Sequence, residues 1–117
     1  MSSATLSAGC LGGHLETILL KILSLKDCYG YSLYKTITSI TGHCFELKEA
    51  SLYSSLRRLE AERFISSYWG DETQGARRKY YSITQEGAEY LNGNIEKWRI
   101  TKHVMECIIS SDISSII

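Results

Sequence analysis

Basic side chains concentrate in two short stretches of the chain, residues 57–63 and residues 77–79. Arginine offers a planar fork of N–H donors that binds phosphate through two hydrogen bonds, so such stretches are suited to a nucleic-acid backbone. Asp71 and Glu72 lie between the two stretches. The pattern predicts a nucleic-acid contact made by two separate elements, with a solvated run of charge as the alternative for the second stretch.

The chain as a whole carries no excess of positive charge, since 13 Lys and Arg balance 13 Asp and Glu. Most DNA-binding domains are basic, so this balance leaves a second class open, a protein-interaction module. For a DNA-binding protein of this composition we expect strong salt dependence and weak non-specific binding. A mobility shift at low salt on the DNA upstream of its own gene would separate the two classes.

Residue types that support catalysis or metal binding are present but scattered. The histidines are His14, His43 and His103, and the cysteines are Cys10, Cys28, Cys44 and Cys107. No C-x-x-C spacing and no nucleophile–base signature surrounds them. The adjacent pair His43-Cys44 could hold a metal only with ligands from elsewhere. We therefore expect no enzymatic activity, no catalytic residue, no metal and no cofactor, with reduced and mostly buried thiols.

Length and hydropathy predict a single small domain. The 117 residues, 44% of them hydrophobic, suffice for one modest core. Every apolar run is far shorter than the roughly 20 residues that a membrane span needs. The opening MSSATLSAGCLGG lacks the basic start of a signal peptide. We expect a cytoplasmic protein without a membrane partner, whose residues 1–9 form a flexible segment.

Apolar residues at helical spacing predict three helices before the second basic stretch, over residues 13–25, 31–40 and 48–63. Phe45 and Leu47 alternate with polar neighbours, which suits a short extended piece before the third helix. In that helix Leu52, Leu56 and Leu59 recur at i, i+4 and i+7 and form one buried stripe. The alternative is an ordinary amphipathic surface helix.

The other faces of the third helix carry small hydroxyls, a tyrosine and arginine, which fit a DNA major groove. The candidate reading residues are Ser51, Tyr53, Ser54 and Arg58. Residues 64–69 and 77–83 have strand composition and are joined by a glycine-containing loop, which predicts a hairpin, or wing. The candidate backbone contacts are Gln74, Arg77, Arg78 and Lys79 on the wing and Lys35 on the second helix.

A long last helix is predicted over residues 85–110, with Thr84 as its N-cap. Its apolar positions approximate a heptad seam that Lys102 interrupts: Leu91, Ile95, Trp98, Met105 and Ile109. Ile100, Val104 and Ile108 add a second apolar face. A helix that is apolar on two sides should pack on the first helix and on a partner chain, which predicts a homodimer on a palindromic DNA operator.

The segments ASLYSSLRRLEAERFI and GARRKYYSIT, closed by Thr84 and Gly87 as T-x-x-G, resemble the PadR-like transcriptional regulators over about residues 15–109. The resemblance implies an α+β, mainly α fold: a winged helix-turn-helix over residues 10–83, a C-terminal dimerisation helix over residues 84–110 and a tail over residues 111–117. It implies a non-enzymatic, sequence-specific DNA-binding regulator that acts as a repressor. Ser51 departs from the threonine that the family often has there, while keeping a hydroxyl.

The short length and the tryptophan of the last helix resemble a branch of multidrug-sensing repressors within that family. By this resemblance, Trp98 would stack on a planar aromatic effector at the dimer interface, with walls from Cys10, Gly13, Glu16, Thr17 and Leu20. Lys102 occupies a position that is acidic in that branch and would repel a cationic drug if it faces the pore, unless Glu16 compensates. A neutral or anionic aromatic effector, no effector, and Trp98 as a filler of the dimer seam stay open.

Overall fold

The computed structural model describes residues 13–72 and 75–117. Four helices and three short strands follow one another along the chain. They are α1 (Leu15–Leu23), β1 (Cys28–Tyr29), α2 (Gly30–Ile40), α3 (Glu49–Ala61), β2 (Ile65–Trp69), β3 (Lys79–Ile83) and α4 (Gln85–Ser110). The predicted α+β, mainly α winged helix-turn-helix fold is confirmed. Cys10, Gln74 and the flexible segment expected over residues 1–9 lie outside the described residues.

The strands form one antiparallel sheet in the order β1-β3-β2. β2 and β3 make the expected hairpin, in which Ile65 pairs with Ile83 and Trp69 with Lys79. β1, which the sequence did not reveal, pairs Cys28 with Tyr81 and Tyr29 with Tyr80. The second hairpin strand begins at Lys79, so the expectation that it starts at residue 77 is wrong and Arg77 and Arg78 belong to the loop.

Each helix contributes to one apolar core, and its buried side chains recur at helical spacing. The largest fully buried side chains are Leu19, Leu20, Leu33, Ile37, Leu52, Leu56, Leu59 and Ile65. Phe45 and Leu47 are also buried while Cys44, Glu46 and Lys48 are exposed, which confirms the alternation read from the sequence. Among the described residues no polar or charged side chain is buried.

The turn from α3 into β2 fixes where the hairpin and α4 begin. Arg63 adopts a left-handed φ of 64°, and the amide of Phe64 reaches back to the carbonyl of Leu59 at 2.9 Å. This geometry closes α3 as a left-handed cap does. Thr84 accepts a hydrogen bond from the Gly87 amide at 3.0 Å, which confirms it as the N-cap of α4.

α4 leaves the domain after its first turns. Leu91 is buried and Tyr90 and Ile95 pack against the core, but every residue from Glu96 to Ser110 is exposed. A helix rises about 1.5 Å per residue, so this exposed part extends roughly 22 Å. The molecule is correspondingly elongated, with extents of 67 × 35 × 21 Å.

Candidate nucleic-acid interface and ligand clefts

α3 presents one side to the core and a clear opposite side to solvent. Leu52, Leu56 and Leu59 are 0% exposed. At 3.6 residues per turn, the side opposite these leucines carries Ala50, Ser54, Arg57 and Ala61, all of them exposed. We call this side the exposed face of α3. Small residues around one arginine allow the helix backbone to come close to a groove edge.

Arg57 was missed as a candidate by sequence reasoning, which selected its neighbour Arg58. With the leucine stripe fixed, helical spacing places Arg57 and Arg58 at about equal angles on the two edges of the exposed face. Arg58 Nη1 lies 3.3 Å from Glu16 Oε2 of α1. Among the described residues Arg57 has no salt-bridge partner within 4.0 Å. The salt bridge of Arg58, which the sequence does not show, is what distinguishes the two arginines.

The remaining predicted residues of α3 differ in their surroundings. Ser54 is exposed and Ser51 is half-buried near it, on the same side of the helix. Tyr53, 39% exposed, packs closely on Gly30, where even a β-carbon would overlap its hydroxyl and the edge of its ring. Tyr53 therefore joins α3 to the start of α2, and only part of its ring is free to contact a ligand.

The basic side chains of the wing are each anchored to the protein. Arg77 Nε donates to the carbonyl of Gly70 at 3.2 Å. The Arg78 guanidinium lies 4.7 Å from the ring centroid of Tyr29 and 3.9 Å from Glu72 Oε1. Lys79 Nζ is 3.5 Å from Glu60 Oε1. These cations are held in place, and a neighbouring carboxylate or carbonyl dipole partly neutralises the positive charge of each.

A concave surface of about 480 Å³ connects α2, α3 and the wing. Its lining combines aromatic rings with two cations: Tyr29, Gly30, Tyr31, Tyr53, Tyr81, Arg78 and Lys79. We call it the basic groove. Lys35, exposed on α2, lies 5.7 Å from the ring centroid of Tyr31 at its border. The amides that open α2 at Gly30 add positive dipole ends, which suit a phosphate.

Hydrogen bonds favour the ionised form of Glu72 in the wing. A bond from its own backbone amide lowers the pKa of Glu72, and the Tyr80 hydroxyl, 2.9 Å away, acts in the same direction. The same contact raises the pKa of Tyr80. A hydrogen bond to Asp27 raises the pKa of Tyr68 to about 12. The wing therefore carries fixed negative charge next to Arg78, which agrees with the zero net charge of the chain.

Trp98 stands between two clefts on α4. An apolar cleft of about 410 Å³ separates α1, α2 and α4, and a smaller polar cleft of about 190 Å³ opens on the other side. The polar cleft is lined by Gly13, His14, Glu16, Thr17, Tyr90, Asn94, Lys97, Trp98 and Thr101. Lys102 Nζ lies 5.4 Å from the Trp98 ring centroid. The ammonium of Lys102 thus already occupies the neighbourhood of the indole that a ligand would use.

Two expectations from the sequence need correction. Leu20 is 0% exposed and belongs to the core, because it faces inward from α1 and cannot form a ligand wall on this chain. Cys44 and Cys107 are exposed and only Cys28 is buried, so the thiols of the described residues are not mostly buried. No cluster of three or more metal-ligating side chains occurs in the part of the chain that the structure describes.

A helix with a solvent-facing side, a basic hairpin and an antiparallel three-stranded sheet define a winged-helix DNA-binding protein. The model of the "Transcriptional regulator PadR-like family" matches residues 19–93, and the chain belongs to that family. It is a DNA-binding transcriptional regulator and not an enzyme. None of the helices within residues 13–72 and 75–117 is both long and apolar enough to cross a membrane.

Solved structures of regulators share this fold. A transcriptional regulator from Clostridium thermocellum is 39% identical, with a TM-score of 0.82 over 91% of this chain and 100% of its own. A PadR family regulator from Clostridium difficile is 36% identical, with a TM-score of 0.74 over 83% of this chain and 99% of its own. The sequence resemblance to the PadR-like family is confirmed.

Two curated relatives match the chain over most of its length. A Lysinibacillus sphaericus protein designated "Uncharacterized protein X" is 39% identical over 94 residues, which cover 80% of this chain and 86% of that protein. The transcriptional regulator YqjI of Escherichia coli is 31% identical over 85 residues. That match covers 73% of this chain and 39% of YqjI, so this chain spans well under half of that relative.

Proposed function

We propose that this PadR-like regulator is a homodimeric repressor that inserts α3 into the major groove of a palindromic operator. The observation that carries the proposal is the exposed face of α3, where Arg57 and Ser54 point to solvent opposite a fully buried leucine stripe. Arginine recognises the O6 and N7 atoms of guanine through two hydrogen bonds, and one such contact discriminates bases by about 1–3 kcal/mol. Ser51 and the free part of Tyr53 flank this contact.

The wing and α2 would hold the DNA backbone. Arg78, Lys79 and the start of α2 border the same basic groove, and Lys35 lies at its edge. Phosphate contacts of this kind fix the register of a protein on DNA without reading sequence. Because each wing cation already has a protein partner, its contribution to affinity is smaller than that of a free cation, and the protein then depends more on contacts to bases.

The exposed end of α4 supplies the dimer contact. Six large apolar side chains on it are between 45% and 74% exposed: Trp98, Ile100, Val104, Met105, Ile108 and Ile109. A contiguous apolar surface of this kind on one helix is typical of an interface with a second copy. A palindromic operator with half-sites one DNA turn apart requires the two copies of α3 to lie about 34 Å apart, and a two-fold axis at α4 must meet this spacing.

A planar aromatic molecule is the effector we propose, bound against Trp98. The Trp98 ring borders both clefts and is 45% exposed, and Gly13, Glu16 and Thr17 line the polar cleft beside it. An indole binds planar rings by stacking and cations through its quadrupole. Lys102 would have to move aside for a ligand on its face of the indole, so the ligand competes with an internal cation–π contact.

Selection of bound sequences from a random DNA pool tests the proposal. An inverted repeat with half-sites one turn apart, bound by two protomers, is the expected product, and its affinity should fall steeply with salt. The alternative is a winged-helix protein-interaction module without an effector pocket. The zero net charge and the pairing of the wing cations with Glu72 and Glu60 favour it. Absence of enrichment, together with no mobility shift at low salt, would overturn the proposal and favour that alternative.

A further inference from the structure

Glu16 of α1 lies where three helices meet. Its Oε2 atom is 3.3 Å from Arg58 Nη1 of α3, and its Oε1 atom accepts a hydrogen bond of 3.3 Å from the Tyr90 hydroxyl of α4. The side chain of Glu16 is 17% exposed, whereas that of Arg58 is 68% exposed. One carboxylate therefore contacts both the helix proposed to read DNA and the helix that carries Trp98.

The position of Arg58 suits a backbone phosphate more than a base. It lies at the edge of the exposed face of α3, on the side that faces α1, and its guanidinium is mostly in solvent. While Arg58 Nη1 contacts Glu16, the guanidinium cannot donate both of its parallel hydrogen bonds to a phosphate. The carboxylate also repels a phosphate that approaches the same spot.

The other side of Glu16 faces the polar cleft. Glu16, Tyr90 and Trp98 line that cleft together, so a carboxylate stands next to two aromatic rings. This combination suits an organic ammonium group, because the carboxylate and the ring faces both attract positive charge, and the Lys102 ammonium near the Trp98 ring must move aside for it. Lys97 also borders the cleft, but it is exposed and its long side chain can turn into solvent.

We propose that Glu16 restrains DNA binding by holding Arg58, and that an organic cation in the polar cleft engages Glu16 and releases Arg58 to the DNA backbone. The inference rests on the proposed function, since it needs α3 to lie at DNA. It sets the direction of regulation: a cationic aromatic ligand strengthens operator binding. By reciprocity, operator DNA strengthens binding of the cation by the same factor.

A double-mutant cycle with Glu16→Gln and Arg58→Gln tests the restraint. Operator affinity of the full chain is measured by fluorescence anisotropy at fixed salt. Glu16→Gln should raise affinity by about 1.5- to 5-fold, the range of exposed ion pairs, and the gain should vanish in the Arg58→Gln background. An equal gain in both backgrounds would reflect net charge alone and would overturn the proposal, as would any loss of affinity in Glu16→Gln.

Tyr90→Phe gives an independent variant on the α4 side. It removes the hydroxyl that holds Glu16 and keeps the ring, which stacks on Phe64 with centroids 4.1 Å apart. A change in operator affinity that vanishes in the Arg58→Gln background supports the restraint, and no change, or a change that persists in Arg58→Gln, counts against it. Urea midpoints of all variants show whether folding has been preserved.

Release by a cation is tested with benzyltrimethylammonium at constant ionic strength, with benzyl alcohol as the neutral aromatic control. The cation should raise the operator affinity of the wild type and leave Glu16→Gln unchanged, and the alcohol should affect neither. Unchanged or weakened wild-type affinity would overturn release. If the wild type binds no DNA, the proposed function itself fails; if it binds DNA but the cycle is additive, only the restraint fails.

Discussion

A methyl group at Gly87 should destabilise the domain, because the start of α4 touches backbone there. A β-carbon built on Gly87 overlaps the carbonyl oxygen of Phe64 and comes within 2.9 Å of Ile83 Cγ1. The Phe64 carbonyl cannot turn away without cost, since it accepts a hydrogen bond of 3.1 Å from the Thr84 amide. In Gly87→Ala, α4 must therefore move away from the beginning of β2.

The expected cost follows from forcing atoms into a packed site, which is about 1–3 kcal/mol. For a domain of this size, a loss of that order lowers the melting temperature by roughly 4–12 °C. Gly93→Ala is the matched control on the same helix, because nothing lies within 4 Å of a β-carbon there. Alanine in an open helical site stabilises by up to about 1 kcal/mol relative to glycine, so the control should shift in the opposite direction.

Urea unfolding followed by circular dichroism measures both variants, at equal protomer concentration because a dimer contributes to stability. Opposite signs for the two substitutions are expected. Equal stability of Gly87→Ala and the wild type would show that α4 does not approach Phe64 as described, and would refute the packing argument for the T-x-x-G motif.

Four further outcomes are expected. Arg78→Ala should weaken binding to all DNA sequences and reduce the salt slope by about one unit; an unchanged slope would place this arginine away from DNA. Trp98→Ala should abolish the quenching of tryptophan fluorescence by a planar aromatic dye, and quenching that persists would then come from Trp69. Met105→Lys should convert dimers to monomers in sedimentation at micromolar concentration, because an exposed seam residue becomes charged; an unaffected dimer would move the interface elsewhere. The hydrogen bond to Asp27 raises the pKa of Tyr68 to about 12. Its stabilisation of the fold is complete below the ordinary tyrosine pKa of about 10 and is lost as the pH rises towards 12. Tyr68→Phe should therefore flatten that part of the alkaline unfolding profile.

The sequence allowed the helices and the hairpin to be predicted because their apolar spacing is regular. Leu52, Leu56 and Leu59 define α3 by themselves, and the T-x-x-G motif marks the start of α4. The observed ends of the helices differ from the predicted ones by a few residues where a cap sets the end. The third helix was predicted to reach residue 63, but α3 ends at Ala61, and Arg63 adopts a left-handed φ. β1 was not predicted, because its two residues, Cys28 and Tyr29, are too few to show an alternating pattern.

The site was harder to predict, because it depends on contacts between elements that are distant in sequence. Arg58 looks like a reading residue until Glu16, forty-two positions earlier in the chain, is seen beside it. Leu20 belongs to the core because it lies on the side of α1 that packs against the other elements. The sequence of α1 does not show which side that is, since Ile18 and Ile22 on its other sides are equally apolar. Helical spacing does not separate Arg57 from Arg58, and only the salt bridge of Arg58 to Glu16 does.

The central claim is that the exposed face of α3 reads DNA, and the comparison of Arg57→Ala with Lys26→Ala on a selected operator tests it most directly. Both variants lose one positive charge, but Lys26 is exposed in the turn before β1, beyond the end of the sheet where Cys28 pairs with Tyr81. Arg57→Ala should lower operator affinity by about 5- to 150-fold and reduce the preference over random DNA, while Lys26→Ala stays within about twofold. Equal, small losses in both variants would contradict the account.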